Sequence, residues 1–247
     1  YAAYKSTFSP PADFLSLLSA PARVAECTVM PLRRYPLDAA IVFSDILVVP
    51  AALGLKLEMP GGVGIRMEKA SEPEATPEQA KEDVDKVLAV LEQYPSPRSF
   101  VLSALSLPLS SLRCTRDLMA AENHPAPLLG FAAAPYTLLH YMVGGTTKNA
   151  GAGGAFCRAH PAQATRLLDA LRGVVVEFLS LQLGAGADAL QLFEAVAYTL
   201  TEEEHKKWAA PWMEGVAREV KARHGDKKLF GFQRGMPSGA GGMVAAG

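Results

Sequence analysis

A carboxylate at the end of a short apolar run is the residue in this sequence best placed to do chemistry. Residues 39–43 are apolar and rich in branched side chains, which predicts a buried strand of a parallel sheet. Asp45 follows this run, and apolar residues resume after it. A carboxylate in such surroundings is costly unless it accepts hydrogen bonds or meets a cation. At the carboxyl end of a barrel strand it would face an active-site mouth. The alternative is that Asp45 is an ordinary turn residue exposed to solvent.

Strands and helices alternate along the chain around this position. Apolar runs predict three further strands, and 3.6-residue periodicity predicts four helices. A glycine-rich loop is expected at 144–154, and the charged run that contains His205 reads as a solvated helix face. The alternation predicts a parallel sheet wrapped by helices, which a barrel and a doubly wound sheet both satisfy. The strands are predicted at 127–133, 187–193 and 228–232, and the helices at 81–93, 137–143, 161–183 and 202–224.

Composition narrows the functional classes. The 247 residues are 49% hydrophobic and 20% charged, as in globular proteins, and the formal net charge is -1. Near-neutral charge disfavours a nucleic-acid partner or a polybasic membrane anchor. The 3 cysteines have no metal-ligand spacing, so we expect no metal site and a reducing intracellular compartment. We expect no signal peptide and no transmembrane segment, because no apolar stretch reaches bilayer length.

Three strings in this sequence have the length and residue content of protein-family signatures. The first is P-L-R-R-Y-P-L-D-A-A-I-V-F-S-D-I-L-V-V-P at 31–50, which contains Asp45. The second is G-F-A-A-A-P-Y-T-L at 130–138 with Tyr141 after it, where Ala133 replaces the usual Gly and Tyr136 the usual Trp. The third is A-D-A-L-Q-L-F-E at 187–194. These strings resemble signatures of the uroporphyrinogen decarboxylase family and occur in the family's order, and the resemblance extends from Tyr4 to about Gly235, nearly the whole chain.

The resemblance implies a fold and an activity. The fold would be a (β/α)8 TIM-type barrel, with residues 1–247 as a single domain that lacks the family's N-terminal segment and last strands. The activity would be cofactor-free decarboxylation of the acetate arms of uroporphyrinogen III, which gives coproporphyrinogen III in porphyrin biosynthesis. Asp45 matches the carboxylate that accepts the pyrrole N–H groups, and Tyr141 matches the residue that supports it. The expected substrate-binding residues are Phe14, Phe43, Ser44, Ile46, Phe193 and Ala195.

Departures from the family pattern keep a second function open. Residues 195–198 read A-V-A-Y where the family has a Ser followed by a His or Trp. The family's two-arginine segment and late His are not found in residues 1–247, so we expect these residues alone to give little turnover. Clear turnover would instead indicate that other cations, such as Arg33, Arg34 or Arg234, replace the missing ones. The alternative is a catalytically inactive homologue that serves as a structural or interaction subunit. A corrinoid-linked methyltransferase is disfavoured, because no His/Cys metal constellation is present.

Partners and compartment also follow from the resemblance. It implies a tetrapyrrole substrate and a homodimer, or a place in a larger complex if the chain is inactive. The string G-G-T-T-K at 144–148 resembles a loop of plant and algal plastid members. We therefore expect a plastid or the cytoplasm.

Overall fold

Four parallel strands lie side by side in the order in which they occur along the chain. The computed structural model describes residues 14–58, 66–67, 76–146 and 149–235. Its four-stranded sheet has the order β1-β4-β5-β6, and β2 and β3 form a separate antiparallel pair. The strands are β1 (Ala40–Ile41), β2 (Leu57–Glu58), β3 (Arg66–Met67), β4 (Leu128–Ala133), β5 (Ala189–Glu194) and β6 (Lys228–Gln233).

Helices connect these strands and cover one face of the sheet. The long helix α9 (Pro161–Gly184) buries six large apolar residues, Leu167, Leu168, Leu171, Val174, Val175 and Phe178. The helices are α1 (Phe14–Leu18), α2 (Pro21–Val29), α3 (Val48–Ala52), α4 (Pro77–Glu92), α5 (Pro97–Ala104), α6 (Ser106–Ala121), α7 (Pro135–Met142), α8 (Ala152–Ala159), α9 (Pro161–Gly184), α10 (Glu202–Trp208) and α11 (Ala210–Arg223). None of these described helices has the length and apolarity needed to cross a membrane.

The two faces of the sheet differ in character. Leu128, Leu190 and Leu192 are almost fully buried on the face that packs against the helices. The opposite face carries two rows of paired residues, Phe131 with Gln191 and Phe230, and Ala133 with Phe193 and Phe232. In a (β/α) barrel this second face lines the interior.

The parallel order confirms the predicted fold class. Successive parallel strands joined through helices are the repeat from which a (β/α)8 barrel is built, and the described residues supply four such strands. The predicted strands at 127–133, 187–193 and 228–232 occur within two residues of their expected bounds.

Three predictions about the helices and the glycine-rich loop differ from the structure. The helix predicted at 202–224 is two helices that meet at Ala209, because Pro211 has no N–H for an unbroken helix and lies instead in the first turn of α11. His205 is buried rather than on a solvated face, since it shares the inner side of α10 with Trp208. Within the predicted loop at 144–154, α8 begins at Ala152. Residues 147–148 of that loop lie outside the described residues.

Candidate functional site

The site begins where β1 leaves the sheet. The amide of Val42 donates to the carbonyl of Leu129 at 3.0 Å and continues the ladder beyond the two strand residues. The next amide, that of Phe43, donates instead to Thr28 Oγ1 on α2 at 2.9 Å, and this hydroxyl donates to the carbonyl of Val24 at 2.8 Å. A side chain of α2 thus replaces the neighbouring strand, and the predicted strand 39–43 shortens because its last residue turns away.

Asp45 lies in the loop that this turn creates. Its Oδ1 accepts a hydrogen bond from the backbone N–H of Leu47 at 2.7 Å. Burial raises the pKa of Asp45 above its usual range, and the Leu47 hydrogen bond opposes that shift. The half-buried carboxylate therefore has one backbone donor and retains acceptor capacity for a ligand.

A largely apolar cavity of about 540 Å³ opens beside this carboxylate. That volume lies within the usual range for small-molecule sites. Asp45 supplies a charge in a wall that is otherwise mostly aliphatic and aromatic. Six of the predicted site residues line the cavity, namely Phe43, Ser44, Asp45, Ile46, Phe193 and Ala195, together with Phe131, Cys27, Thr28, Leu32 and Leu37.

The other two predicted residues stand next to that wall. The ring of Phe14 packs against the ring of Phe43, with 5.2 Å between their centroids. Burial raises the pKa of the Tyr141 hydroxyl, and the nearby charge of Asp45 raises it further. Tyr141 therefore keeps its proton at neutral pH and can act as a hydrogen-bond donor beside Asp45.

A second strand-end carboxylate was missed by the sequence reasoning. Glu194 ends β5, is 0% exposed, and accepts a hydrogen bond from the hydroxyl of Thr137 at 2.5 Å. The same hydroxyl accepts the amide of Ala195 at 2.9 Å. Thr137 thus ties the cavity wall at Ala195 to α7, the helix that carries Tyr141. The signal that singled out Asp45, a carboxylate closing an apolar run, also marks Glu194.

The cavity wall at Phe131 is held by a buried glutamine. Gln182 on α9 is 1% exposed, accepts the amide of Phe131 at 2.8 Å, and donates to its carbonyl at 2.9 Å. Since β1 has already turned away at this level, the side-chain amide provides the partners that a neighbouring strand would otherwise supply. No periodicity in the sequence signals this contact, because Gln182 lies 51 residues from Phe131.

Cys27 contributes a thiol to the cavity wall. Burial raises the pKa of Cys27, the cavity thiol, to about 11, so it stays protonated and weakly nucleophilic at neutral pH. In the part of the chain that the structure describes, no three His, Cys, Asp or Glu side chains are grouped so as to hold a metal ion. The arrangement instead offers an acceptor carboxylate in an apolar cleft.

Comparison with known proteins identifies the relatives of this chain. The family model described as uroporphyrinogen decarboxylase (URO-D) matches residues 2–245. The uroporphyrinogen decarboxylases of Mus musculus and Homo sapiens are each 40% identical to the chain over 85% of its length and 53% of their own. The Salinibacter ruber enzyme is 36% identical over 90% of the chain and 58% of its own length. The chain thus spans about half the length of the curated relatives it matches.

Proposed function

The chain belongs to the uroporphyrinogen decarboxylase family, and from that premise we propose that it removes carboxyl groups from the acetate arms of uroporphyrinogen III. The observation that carries the proposal is the position of Asp45, a half-buried carboxylate on the wall of an apolar cavity at the carboxyl edge of the sheet. A ring of pyrroles presents apolar faces and convergent N–H donors, which such a wall complements.

Asp45 has the chemistry that a cofactor-free decarboxylation needs. Loss of CO2 from an acetate arm leaves an electron pair that must be delocalised, and protonation of the pyrrole ring at carbon creates a cation able to accept it. A second proton then converts the former methylene carbon into a methyl group, and release of the first proton from the ring carbon restores the pyrrole. Asp45 would accept the pyrrole N–H groups and stabilise the cationic ring, an effect that is strong where water is excluded.

The neighbouring side chains would position the macrocycle. Phe43, Ile46 and Phe193 supply apolar walls, and Ser44 and Ala195 lie on the same surface. Phe14 supports Phe43 from behind. The protonated hydroxyl of Tyr141 would orient Asp45 or the substrate, since the two groups are close enough to interact electrostatically.

Single-turnover decarboxylation tests this proposal. With protein in excess over uroporphyrinogen III, we expect slow loss of CO2 that yields less carboxylated porphyrinogens, detected by chromatography after oxidation. Asp45→Asn keeps the shape but not the charge, and we expect it to reduce the rate by a factor on the order of 10² or more. Asp38→Asn, a change at an exposed carboxylate nearby, is the control. Equal rates for the wild type and Asp45→Asn would contradict the role of Asp45.

The inactive alternative gives a different result in the same assay. A structural or interaction subunit would show no Asp45-dependent turnover under any protein excess. The relatives are decarboxylases by name, and none of these comparisons favours the inactive alternative.

We also propose that the protein forms a homodimer, as the family resemblance implies, and that residues 1–247 act as one domain. Light scattering at micromolar concentration would give twice the monomer mass, and a monomer would contradict the dimer.

The resemblance of the loop at 144–148 to plastid members supports a plastid rather than the cytoplasm. Microscopy of the full-length protein fused to a fluorescent protein tests that location.

A further inference from the structure

An arginine stands at the same edge of the sheet as Asp45. Arg234 directly follows β6, and its amide donates to the carbonyl of Glu194 at 2.9 Å, which continues the ladder with β5 by one residue. Its position is therefore set by strand pairing. Because the strands are parallel, their carboxyl ends meet at one edge, and Arg234 stands at the β6 end of that edge.

The guanidinium of Arg234 is held over an aromatic ring. Its central carbon lies 5.3 Å from the centroid of the Tyr198 ring, within the range of a cation–π contact. Tyr198 packs tightly on Gly235, where a built Cβ would lie 2.8 Å from Tyr198 Cβ and where φ is +64°. This close approach fixes the platform on which the arginine rests. Tyr198 also belongs to the string at 195–198 that departs from the family pattern.

Arg234 forms no ion pair with any carboxylate in the described residues. Arg33, another candidate cation, pairs with both Glu26 and Glu122 and is occupied by them. Arg234 is exposed, and both it and Asp45 are close enough to Tyr141 to act on its hydroxyl electrostatically. An arginine without an ion pair to a described carboxylate thus stands at the same carboxyl edge of the sheet as the candidate catalytic carboxylate.

We propose that Arg234, held by Tyr198, binds a carboxylate arm of the porphyrinogen substrate. This inference rests on the proposed function and deepens it, because it assigns substrate recognition to a residue outside the matched signatures. The substrate carries eight carboxylates, and a guanidinium can form two parallel charge-assisted hydrogen bonds with one of them. Phe232 and Phe193, whose ring centroids lie 5.8 Å apart, extend the apolar wall from the cavity toward β6.

Binding of uroporphyrin, the stable oxidised form with the same eight carboxylates, tests the proposal by fluorescence titration. We expect Arg234→Gln to weaken binding by about tenfold or more, in line with the loss of a charge-assisted hydrogen bond. Arg234→Lys should recover part of the affinity. Tyr198→Phe keeps the ring and should bind like the wild type, whereas Tyr198→Ala frees the guanidinium and should weaken binding several-fold.

Arg218→Gln is the matched control, since Arg218 is an exposed arginine on α11 that forms no ion pair with the described residues. Equal binding by the wild type and Arg234→Gln would overturn the assignment and leave the proposed function standing. An equal loss of uroporphyrin affinity in Arg218→Gln would also overturn the assignment, because it would show that the porphyrin is attracted by the protein's overall charge. If the wild-type protein binds no uroporphyrin, the proposed function and this inference both fail. Unchanged thermal unfolding of Arg234→Gln would show that the fold is intact.

Discussion

Two carboxylates at the carboxyl ends of β1 and β5, two strands of the same parallel sheet, have different surroundings. Asp45 lines a cavity and has acceptor capacity to spare, whereas Glu194 is fully buried on the helix-covered face of the sheet and meets Thr137. Only Asp45 is therefore accessible to a substrate. Glu194 acts on the site through Thr137 and is a positioning residue for α7 and the wall at Ala195.

The stability of the protein should depend on pH through Glu194. Burial raises the pKa of its carboxyl from 4.5 to about 7, so the folded state holds a proton that the unfolded state releases between these values. Its contribution is complete below pH 4.5 and is lost as the pH rises to about 7, to an extent on the order of 3 kcal/mol. Glu194→Gln keeps a partner for Thr137 without titrating.

Urea unfolding at pH 5 and pH 8 measures this effect as a difference between variants. We expect the wild type to lose more stability than Glu194→Gln between the two pH values, while Glu214→Gln, a change at an exposed residue on α11, behaves like the wild type. The same pH dependence in the wild type and Glu194→Gln would show that Glu194 does not titrate in this window.

The buried side chain of His140 leaves little room for a side chain at two glycines of the loop at 144–154. His140 is 1% exposed, and a Cβ built on Gly145 would lie 2.2 Å from its ring. A Cβ on Gly153 would lie 2.7 Å from the Tyr136 hydroxyl and 3.0 Å from His140 Nδ1. No side chain larger than hydrogen fits at Gly145 unless His140 moves.

We therefore expect Gly145→Ala to destabilise the protein by about 3 kcal/mol or more, at the upper end of the usual cost of overpacking. Gly153→Ala should cost less, because the tyrosine hydroxyl can shift. Gly151→Ala, in the same loop but with nothing within 4 Å of its built Cβ, should be close to neutral. Denaturant unfolding of the three variants measures the order, and equal stabilities would contradict the packing.

At the scale of elements, the side chain of Gln182 on α9 holds the cavity wall at Phe131, at the level where β1 has turned away from the sheet. Gln182→Met keeps the length of the side chain but leaves the N–H and C=O of Phe131 without their partners. Each unpaired buried group costs roughly 1–3 kcal/mol. We expect lower stability and weaker uroporphyrin binding, measured by urea unfolding and fluorescence titration. Gln93→Met, at an exposed position after α4, should change neither, and a loss there as large would point to a general effect of methionine.

Elements with a strong period were predictable from the sequence, and contacts between distant segments were not. Helix α9 and the strands β4 and β5 follow from apolar periodicity alone. The division of 202–224 escaped prediction because amphipathic spacing continues past Pro211 and outweighed the missing N–H donor. His205 was misplaced because charged neighbours surround it in the sequence, although the helical period turns it inward with Trp208.

The same contrast applies to the candidate site. Residues marked by a local sequence signal were predicted, and residues that act through contacts with distant segments were not. Asp45 and Phe43 were found from a strand end and a family signature. The supports of that site, Thr28, Gln182 and Thr137, were not found, because each is a single polar residue in a helix whose partner lies on another element. Glu194 ends the third matched string and closes an apolar run as Asp45 nearly does, but the family resemblance assigned it no role.

At the scale of the whole molecule, the sheet has one covered and one open face. Ile41 is 47%, Phe230 39% and Phe232 46% exposed in the described structure, all on the face opposite the helices. Clustered apolar side chains on a surface mark a place that binds something, whereas single ones are ordinary. In a (β/α)8 barrel this face is interior. In a complete barrel, a further part of the polypeptide or another molecule would cover this face of the sheet.

The protein of 247 residues should therefore bind the apolar dye 8-anilinonaphthalene-1-sulfonate through this face. We expect Phe230→Thr with Phe232→Thr to remove most of the dye fluorescence, because the double change breaks the apolar patch and threonine suits a strand. Leu102→Thr is the control, since Leu102 is 49% exposed and lies on α5, away from the sheet face. Light scattering of the same samples shows whether the face also drives association, in which case the double variant would have the lower mass. If the wild type binds no dye and remains monomeric, the face is covered within the molecule. That result would contradict the prediction that these two phenylalanines are accessible to solvent.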